Sequence, residues 1–320
     1  MKPLISVVLP VYNGSAYLRE AVGSILEQTY RDFELIIIND GSSDDSSQII
    51  SSFGDQRIRA FDQENIGLAA TLNRGISLSR GSYVARQDQD DISYPTRFAK
   101  QIAFLEQTPR CGMVGTWAEI WRETDRTDRA HRHPSENGLL KLDLLFNNPF
   151  VHSSMMLRRE VFDEVGLYCT DRSRQPPEDY EMWSRVARRF EVANIPEILH
   201  VYREAQFSMS RERWEQMMDM VVAISAENIA DAAGLSDGNA QARNLAALAN
   251  GVFGKITGRP NPWEMKRIYC RAAENATASC AGDVSRKMIR QRWQSIRYNY
   301  CKYVAYPLLG SLIRRYRKPL

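Results

Sequence analysis

Phe33-Glu-Leu-Ile-Ile-Ile-Asn-Asp-Gly-Ser-Ser-Asp44 decides how this chain is read. Phe33 to Ile38 has the length and apolar character of a buried strand. It runs directly into Asn39 to Asp45, a polar loop with several candidates for a helix N-cap. The same grammar surrounds it. Ile5 to Leu9 is a continuous apolar run ending at Pro10, and Tyr17, Leu18, Ala21, Val22, Ile25 and Leu26 follow at helical spacing. Ile58 to Phe61 predicts a short third strand, and Leu68, Leu72 and Ile76 another helix. Ser82 to Arg86 predicts a fourth strand, a helix is expected after Pro95, and Met113 to Trp117 is a candidate fifth strand.

Strands buried on both faces and alternating with helices imply an α/β domain with a mainly parallel, Rossmann-like central sheet flanked by helices. From about residue 118 to 205 the pattern is mixed, with a strand expected at Met155 to Leu157 and a helix at Glu178 to Phe190. Beyond about 210 helical spacing dominates. We therefore divide the chain into an α/β domain over 1–205 and a helical C-terminal extension over 206–320.

The 320 residues are 43% hydrophobic and 25% charged, ordinary for a globular protein with a sizeable core. The formal net charge is +3 but unevenly spread. Residues 285–320 hold ten Lys/Arg and no Asp/Glu, which leaves 32 basic against 39 acidic residues elsewhere, a net of −7. The five cysteines are odd in number and lack metal-ligand or CxxC spacing, which fits a reducing compartment. Met1 to Pro10 reads as a first strand rather than a signal peptide. No run of 18 apolar residues is present, so no membrane span is expected.

In open α/β sheets ligands bind beyond the carboxyl ends of the strands. Tyr12-Asn13-Gly14, Asp40-Gly41-Ser42 and Asp88-Gln-Asp-Asp91 each follow a strand directly, so all three are expected along one crevice. Packed carboxylates such as Asp88, Asp90 and Asp91 cost free energy unless a cation sits among them. They suit a hard divalent ion, Mn²⁺ or Mg²⁺, that also holds phosphates. Asp40 either caps the following helix or hydrogen-bonds a nucleobase or ribose. Asn65, Gly67, Asn73 and Gly75 recur near the same edge, where glycine permits close backbone approach. Glu178-Asp179 follows Pro176-Pro177 at a helix start, as dipole-favoured carboxylates or as a general base. Glu178, His152 and His200 are candidates for the acceptor or metal side, whereas His131 and His133 read as solvated. No GxGxxG follows the first strand, and P-loop, GxSxG and zinc patterns are absent, so these chemistries are set aside.

Taken in order, Val7-Val-Leu-Pro-Val-Tyr-Asn-Gly14, Ser24-Ile-Leu-Glu-Gln-Thr-Tyr30, Phe33 to Asp44, Asn65-Ile-Gly67, Asn73-Arg-Gly75, Asp88-Gln-Asp-Asp91 and Glu178-Asp179 resemble the family 2 glycosyltransferases with the GT-A fold. The likeness covers about residues 4 to 205. It implies metal-dependent inverting transfer of one sugar from a nucleotide-diphosphate sugar, most often a UDP-sugar. The acceptor would be a hydroxyl of a glycan or lipid-linked molecule in cell-surface polysaccharide assembly. On the donor side it implies Asp40 against the base, with Pro10, Val11, Tyr12 and Asn13 lining the pocket. Asn65, Gly67, Asn73, Asp88 and Gln89 would complete that side. Asp88 and Asp90 would hold the ribose and the metal-bound diphosphate, with Asp90 nearest the metal, and Asp179 would be the base. The sequence departs from the pattern after Tyr202-Arg203, where relatives often carry a His and this chain has Glu204-Ala205-Gln206. His200 or Glu204 are the local substitutes. No QxxRW motif is present, in keeping with single additions.

In 285–320 the ten positive charges interleave with Trp293, Tyr298, Tyr300, Tyr303, Tyr306 and Tyr316. We expect this stretch to dock on an anionic membrane surface from the cytoplasmic side. No recognised nucleic-acid module is present. The sequence is silent on oligomeric state. The competing readings are a catalytically inactive nucleotide-sugar-binding or scaffold protein and a sugar nucleotidyltransferase. The latter class needs a glycine-rich loop after strand one that Pro10-Val-Tyr-Asn-Gly14 does not provide.

Overall fold

A computed structural model describes residues 3–204, 214–280 and 282–316, with side chains to residue 305. The expectations for Ala205, Gln206 and the last four residues, and for the side chains of Tyr306 and Tyr316, lie outside the described residues. Two compact units are present: Met1–Glu136 with Asn148–Arg213, and Asn137–Asn147 with Trp214–Leu320. The second unit thus includes a stretch near residue 140 that the sequence division left in the first.

The first unit is built on a nine-stranded sheet. Strands β1 (Ile5–Val11), β2 (Phe33–Asp40), β3 (Ile58–Gln63) and β4 (Tyr83–Arg86) run parallel in the order β3-β2-β1-β4. The sheet continues through β8 (Met156–Arg158), β6 (Cys111–Arg122), β9 (Glu191–Glu204) and β5 (Ile92–Ser93), and β7 (Asp125–His131) hangs on β6. Here β6 and β9 are parallel, while β4–β8, β6–β8, β5–β9 and β6–β7 are antiparallel. The parallel half is the part legible as alternating strand and helix.

Every residue of β1 and β2 is buried, because helices cover both faces. Ile5, Val7, Leu9 and Val11 alternate onto one face with α1 (Leu18–Leu26) and α4 (Arg97–Gln107). On the other face α3 (Leu68–Leu78) comes so close that a Cβ on its Gly75 would stand 2.4 Å from Val8 Cγ1. Helices α2 (Ser46–Ser51), α6 (Arg159–Val165) and α7 (Glu178–Arg189) complete the unit.

The second unit is helical. It joins α5 (Asn137–Leu144) to α8 (Trp214–Ala232), α9 (Ala240–Ala249), α10 (Pro262–Ala276) and α11 (Asp283–Tyr316). Asn239 and Asn261 cap α9 and α10 by accepting two backbone N–H groups each, and Pro262 occupies the first turn of α10. Leu142, Phe146, Leu245, Tyr269 and Ile296 form its core, with Tyr269 and Trp293 stacked at 5.4 Å. Trp293, Tyr300 and Tyr303 pack against this core. Three of the four tail aromatics with described side chains are therefore partly buried against the protein core, and the fourth, Tyr298, is largely exposed, at 68%. No helix of the described residues is long and apolar enough to cross a membrane.

Candidate active site

The parallel register brings the three polar loops side by side. Val11 pairs with Asn39, Asp40 with Gln63 and Val8 with Arg86, so the carboxyl ends of β1, β2, β3 and β4 share one edge. Side chains then tie the loops together. Asn13, at φ 50°, donates its N–H to Ser42 Oγ and accepts from Ser43 N at 2.8 Å. Val11 itself is 1% exposed and belongs to the core, so it places Tyr12 rather than lining a pocket; Pro10 is likewise buried within β1. Tyr12 projects from the edge, 52% exposed.

Asp40 does not cap α2. Its carboxylate accepts from Gln63 Nε2 at 2.6 Å, Ile66 N at 2.9 Å and Gly67 N at 3.0 Å, and its carbonyl accepts from Asn65 Nδ2. It therefore sets the loop that enters α3, where Gly67 sits at φ 90°. Asn73 exchanges both amide hydrogen bonds with the backbone of Tyr168, at 2.8 and 2.9 Å. This commits its side chain to joining α3 to the segment before α7.

Carboxylate oxygens of Asp88, Asp90 and Asp91 lie within 4.8 Å of one another. Burial, followed by its two neighbours, raises the Asp90 pKa, and burial and Asp88 raise that of Asp91. Three hard oxygen donors with more negative charge than the neighbouring cations offset fit a divalent cation. The loop that carries them is braced throughout. Gln87 donates to the carbonyls of Asp88 and Asp91, and Gln89 clasps the backbone of Tyr12. Buried Arg97 donates to Arg86 O, Met155 O, Gln87 Oε1, Ser93 Oγ and Gln101 Oε1.

Because β5 follows the cluster and pairs with His200 and Val201, the end of β9 lies against it. Arg203 donates its N–H to Asp91 Oδ1 at 2.8 Å and its Nε to Asp90 O at 2.7 Å. Its guanidinium lies 4.2 Å from the Tyr17 ring and pairs with Glu20. His200 is fully buried. Its Nε2 lies 2.7 Å from Ser153 Oγ and 3.3 Å from Asp91 Oδ2, while Ser153 donates to the same carboxylate. Burial and Arg97 push the imidazole pKa well down, so it is neutral. His200 thus supports Asp91 from behind instead of offering itself to the crevice. Glu204 is paired with Arg129 through both oxygens.

Across the cluster, Glu178 and Asp179 open α7. Asp179 Oδ2 accepts from Asn148 Nδ2 at 2.8 Å and Oδ1 from Tyr180 N at 2.6 Å, which fixes the carboxylate plane. Burial raises both acids, with Asp179 adding to the rise in Glu178. Arg86 acts on both from one side, and Asp88 opposes it. His152 Nε2 lies 3.1 Å from Tyr168 Oη, and the His152, Tyr168 and Trp183 rings pack together beneath the pair. His131 and His133 are not solvated singly: they stack at 5.5 Å, and His131 meets Tyr202 edge-on.

Sequence reading passed over Arg86, Gln87, Arg97, Ser153, Tyr168 and Arg203. The one local signal was Arg86, a charged residue closing the expected fourth strand; Gln87, Arg97, Ser153 and Tyr168 lie in loops, a turn or a helix, where such residues are ordinary.

A family model described as Glycosyl transferase family 2 matches residues 6–166. An uncharacterized glycosyltransferase of Haemophilus influenzae is 33% identical over 212 residues, 63% of this chain and 65% of that one. The chain thus spans just under two thirds of that relative. The Escherichia coli O-antigen biosynthesis glycosyltransferase WbnJ is 32% identical over 186 residues, covering 57% and 71% of the two chains. Among solved structures, S. aureus TarS 1-349 in complex with UDP-GlcNAc has a TM-score of 0.62 at 15% identity, over 95% and 91% of the two chains. Mannosyltransferase PcManGT from Pyrobaculum calidifontis, in complex with GDP-Man and Mn²⁺, has a TM-score of 0.54 at 17% identity, over 95% and 87%. These two likenesses concern the fold, which is GT-A.

Proposed function

The chain belongs to glycosyl transferase family 2, and from that premise we propose that it moves a single sugar from a nucleotide-diphosphate sugar, a UDP-sugar, to an acceptor hydroxyl with inversion. The observation that carries the reading is one crevice edge with carboxylates of two kinds. Asp88, Asp90 and Asp91 are clustered for a cation, and Asp179 is held at the start of α7 within electrostatic reach of the same cluster.

Asp88 and Asp90 would hold Mn²⁺ or Mg²⁺. When bound, the ion offsets negative charge growing on the departing diphosphate. Asp40 and the loops at Tyr12–Asn13 and Asn65–Gly67 would seat the nucleoside. Asp179 takes the acceptor proton, aided by burial that makes it a stronger base than an ordinary aspartate. The acceptor oxygen forms its bond to the anomeric carbon as the anomeric C–O bond breaks, and that electron pair leaves on the diphosphate. Attack opposite the leaving group inverts the centre.

The likeness to an O-antigen enzyme supports a glycan or lipid-linked acceptor in cell-envelope polysaccharide assembly. In this reading residues 1–205 carry the transfer and the helical region holds the protein at the cytoplasmic face of a membrane. Arg286, Lys287, Arg290, Arg297 and Lys302 are exposed on α11, beside core-facing Ile289, Trp293 and Ile296.

Calorimetric titration with a panel of nucleotide sugars, with Mn²⁺ or EDTA, tests the assignment. Metal-dependent binding of one donor, lost in Asp90→Ala and kept in Asp179→Asn, is expected. Binding of no nucleotide sugar by folded protein would favour a non-catalytic scaffold.

A further inference from the structure

Three buried arginines surround the acidic cluster, Arg86, Arg97 and Arg203, and the first two are held in different ways. Arg97 is saturated by five oxygens and is a structural brace. Arg86 is only 4% exposed, yet its guanidinium rests on charge. Its Nη1 is held by Asp88 Oδ1 in an ion pair, and its Nε has no hydrogen-bond partner among the described residues. Its backbone is pinned, since Arg86 N donates to Met155 O and Arg86 O accepts from Arg97. A buried guanidinium with an idle donor is costly unless an anion answers it. It also acts electrostatically on Asp90, Asp91, Glu178 and Asp179, so one fixed cation faces five carboxylates.

We propose that Arg86 is the internal counter-ion of the acidic cluster, holding Asp88 until a divalent cation and the donor's diphosphate arrive together. The inference rests on the reading that this cluster binds a metal with a nucleotide sugar. A cation alone must take Asp88 from Arg86 and leave a buried guanidinium without its anion. A nucleotide diphosphate arriving with the cation supplies oxygens that answer both. Cation and nucleotide therefore bind cooperatively, and after transfer Arg86 reclaims Asp88 as the product diphosphate leaves. Arg86 is a positioning residue in this scheme.

The test measures Mn²⁺ binding by electron paramagnetic resonance at pH 8, with and without UDP, on wild type, Arg86→Gln, Arg86→Lys and Asp90→Ala. Loss of one adjacent charge should tighten Mn²⁺ alone about tenfold in Arg86→Gln. The factor by which UDP and Mn²⁺ aid each other should shrink in proportion, because that coupling is reciprocal. Arg86→Lys, which keeps a charge but pairs less well with a carboxylate, should tighten Mn²⁺ about threefold. It is the variant read if Arg86→Gln does not fold. Unchanged or weaker binding of Mn²⁺ alone in the folded variant overturns the counter-ion role while leaving the metal site standing. No Mn²⁺ binding by wild type with UDP, or binding unaffected by Asp90→Ala, overturns the metal reading and this inference with it.

Discussion

Gln89 and Tyr12 exchange two hydrogen bonds: Tyr12 N–H donates to Gln89 Oε1 at 2.8 Å, and Gln89 Nε2 donates to Tyr12 O at 3.1 Å. The acidic loop after β4 is thereby latched to the end of β1. Gly14 leaves room for the latch, since a Cβ there would stand 2.4 Å from Gln89 Oε1. Gln89→Ala should cost about 1 kcal/mol of stability and weaken donor binding several-fold. Gly14→Ala should act in the same direction. The double variant should be no worse than the worse single one, because both break the same contact. Thermal melts and donor titration check this, and additive losses would disconnect Gly14 from the latch.

Asp179→Asn should reduce turnover by about 10²–10⁴ with donor affinity kept. The wild-type rate should fall as pH drops through a pKa above that of an ordinary aspartate, because burial raises Asp179 and only its ionised form accepts a proton. Asn148→Ala removes a donor to the ionised carboxylate and should move that limb to higher pH. A pH–rate profile of both proteins reads the displacement directly.

Asp90 and Asp91 have folded-state pKa values raised above their unfolded ones, first by burial. A raised carboxylate favours the folded state at low pH, and that contribution is lost as pH rises through the folded pKa. The metal-free protein should therefore melt at a lower temperature at pH 8 than at pH 6. Mn²⁺ should raise the melting temperature more at pH 8. Asp90→Asn should flatten both trends in a scanning-fluorimetry series.

The exposed basic residues of α11 should bind vesicles containing anionic lipid, each contributing about 1 kcal/mol near the surface. Replacing Arg290, Arg297 and Lys302 by Ser should abolish co-sedimentation at low salt without changing donor affinity, since these side chains are exposed. Retention of the triple variant on the vesicles would remove the membrane from the account.

Much of this was legible in the chain itself. Apolar runs such as Phe33 to Ile38 carry their strand length and burial locally, and each is followed at once by the polar loop that becomes the crevice edge. Asp40, Asp88 and Asp90 could be placed along one crevice edge because loops at strand ends lie together in any parallel sheet, whereas Asp179, at a helix start, was singled out by the family resemblance. What those groups touch was decided elsewhere. The 14-residue β9 and the two-residue β5 have no clear local period, and their pairing alone brings His200 and Arg203 to Asp91. Asp40 answers amides 26 and 27 residues away, and Asn73 a backbone 95 residues away. The tail looked like an aromatic membrane anchor, yet Trp293, Tyr300 and Tyr303 are claimed by the helical core. Local sequence determined which segments form strands and helices, because backbone preference and burial period act over a few residues. Tertiary structure decided which charge meets which, because hydrogen bonds and ion pairs act over a few ångströms between residues far apart in the chain.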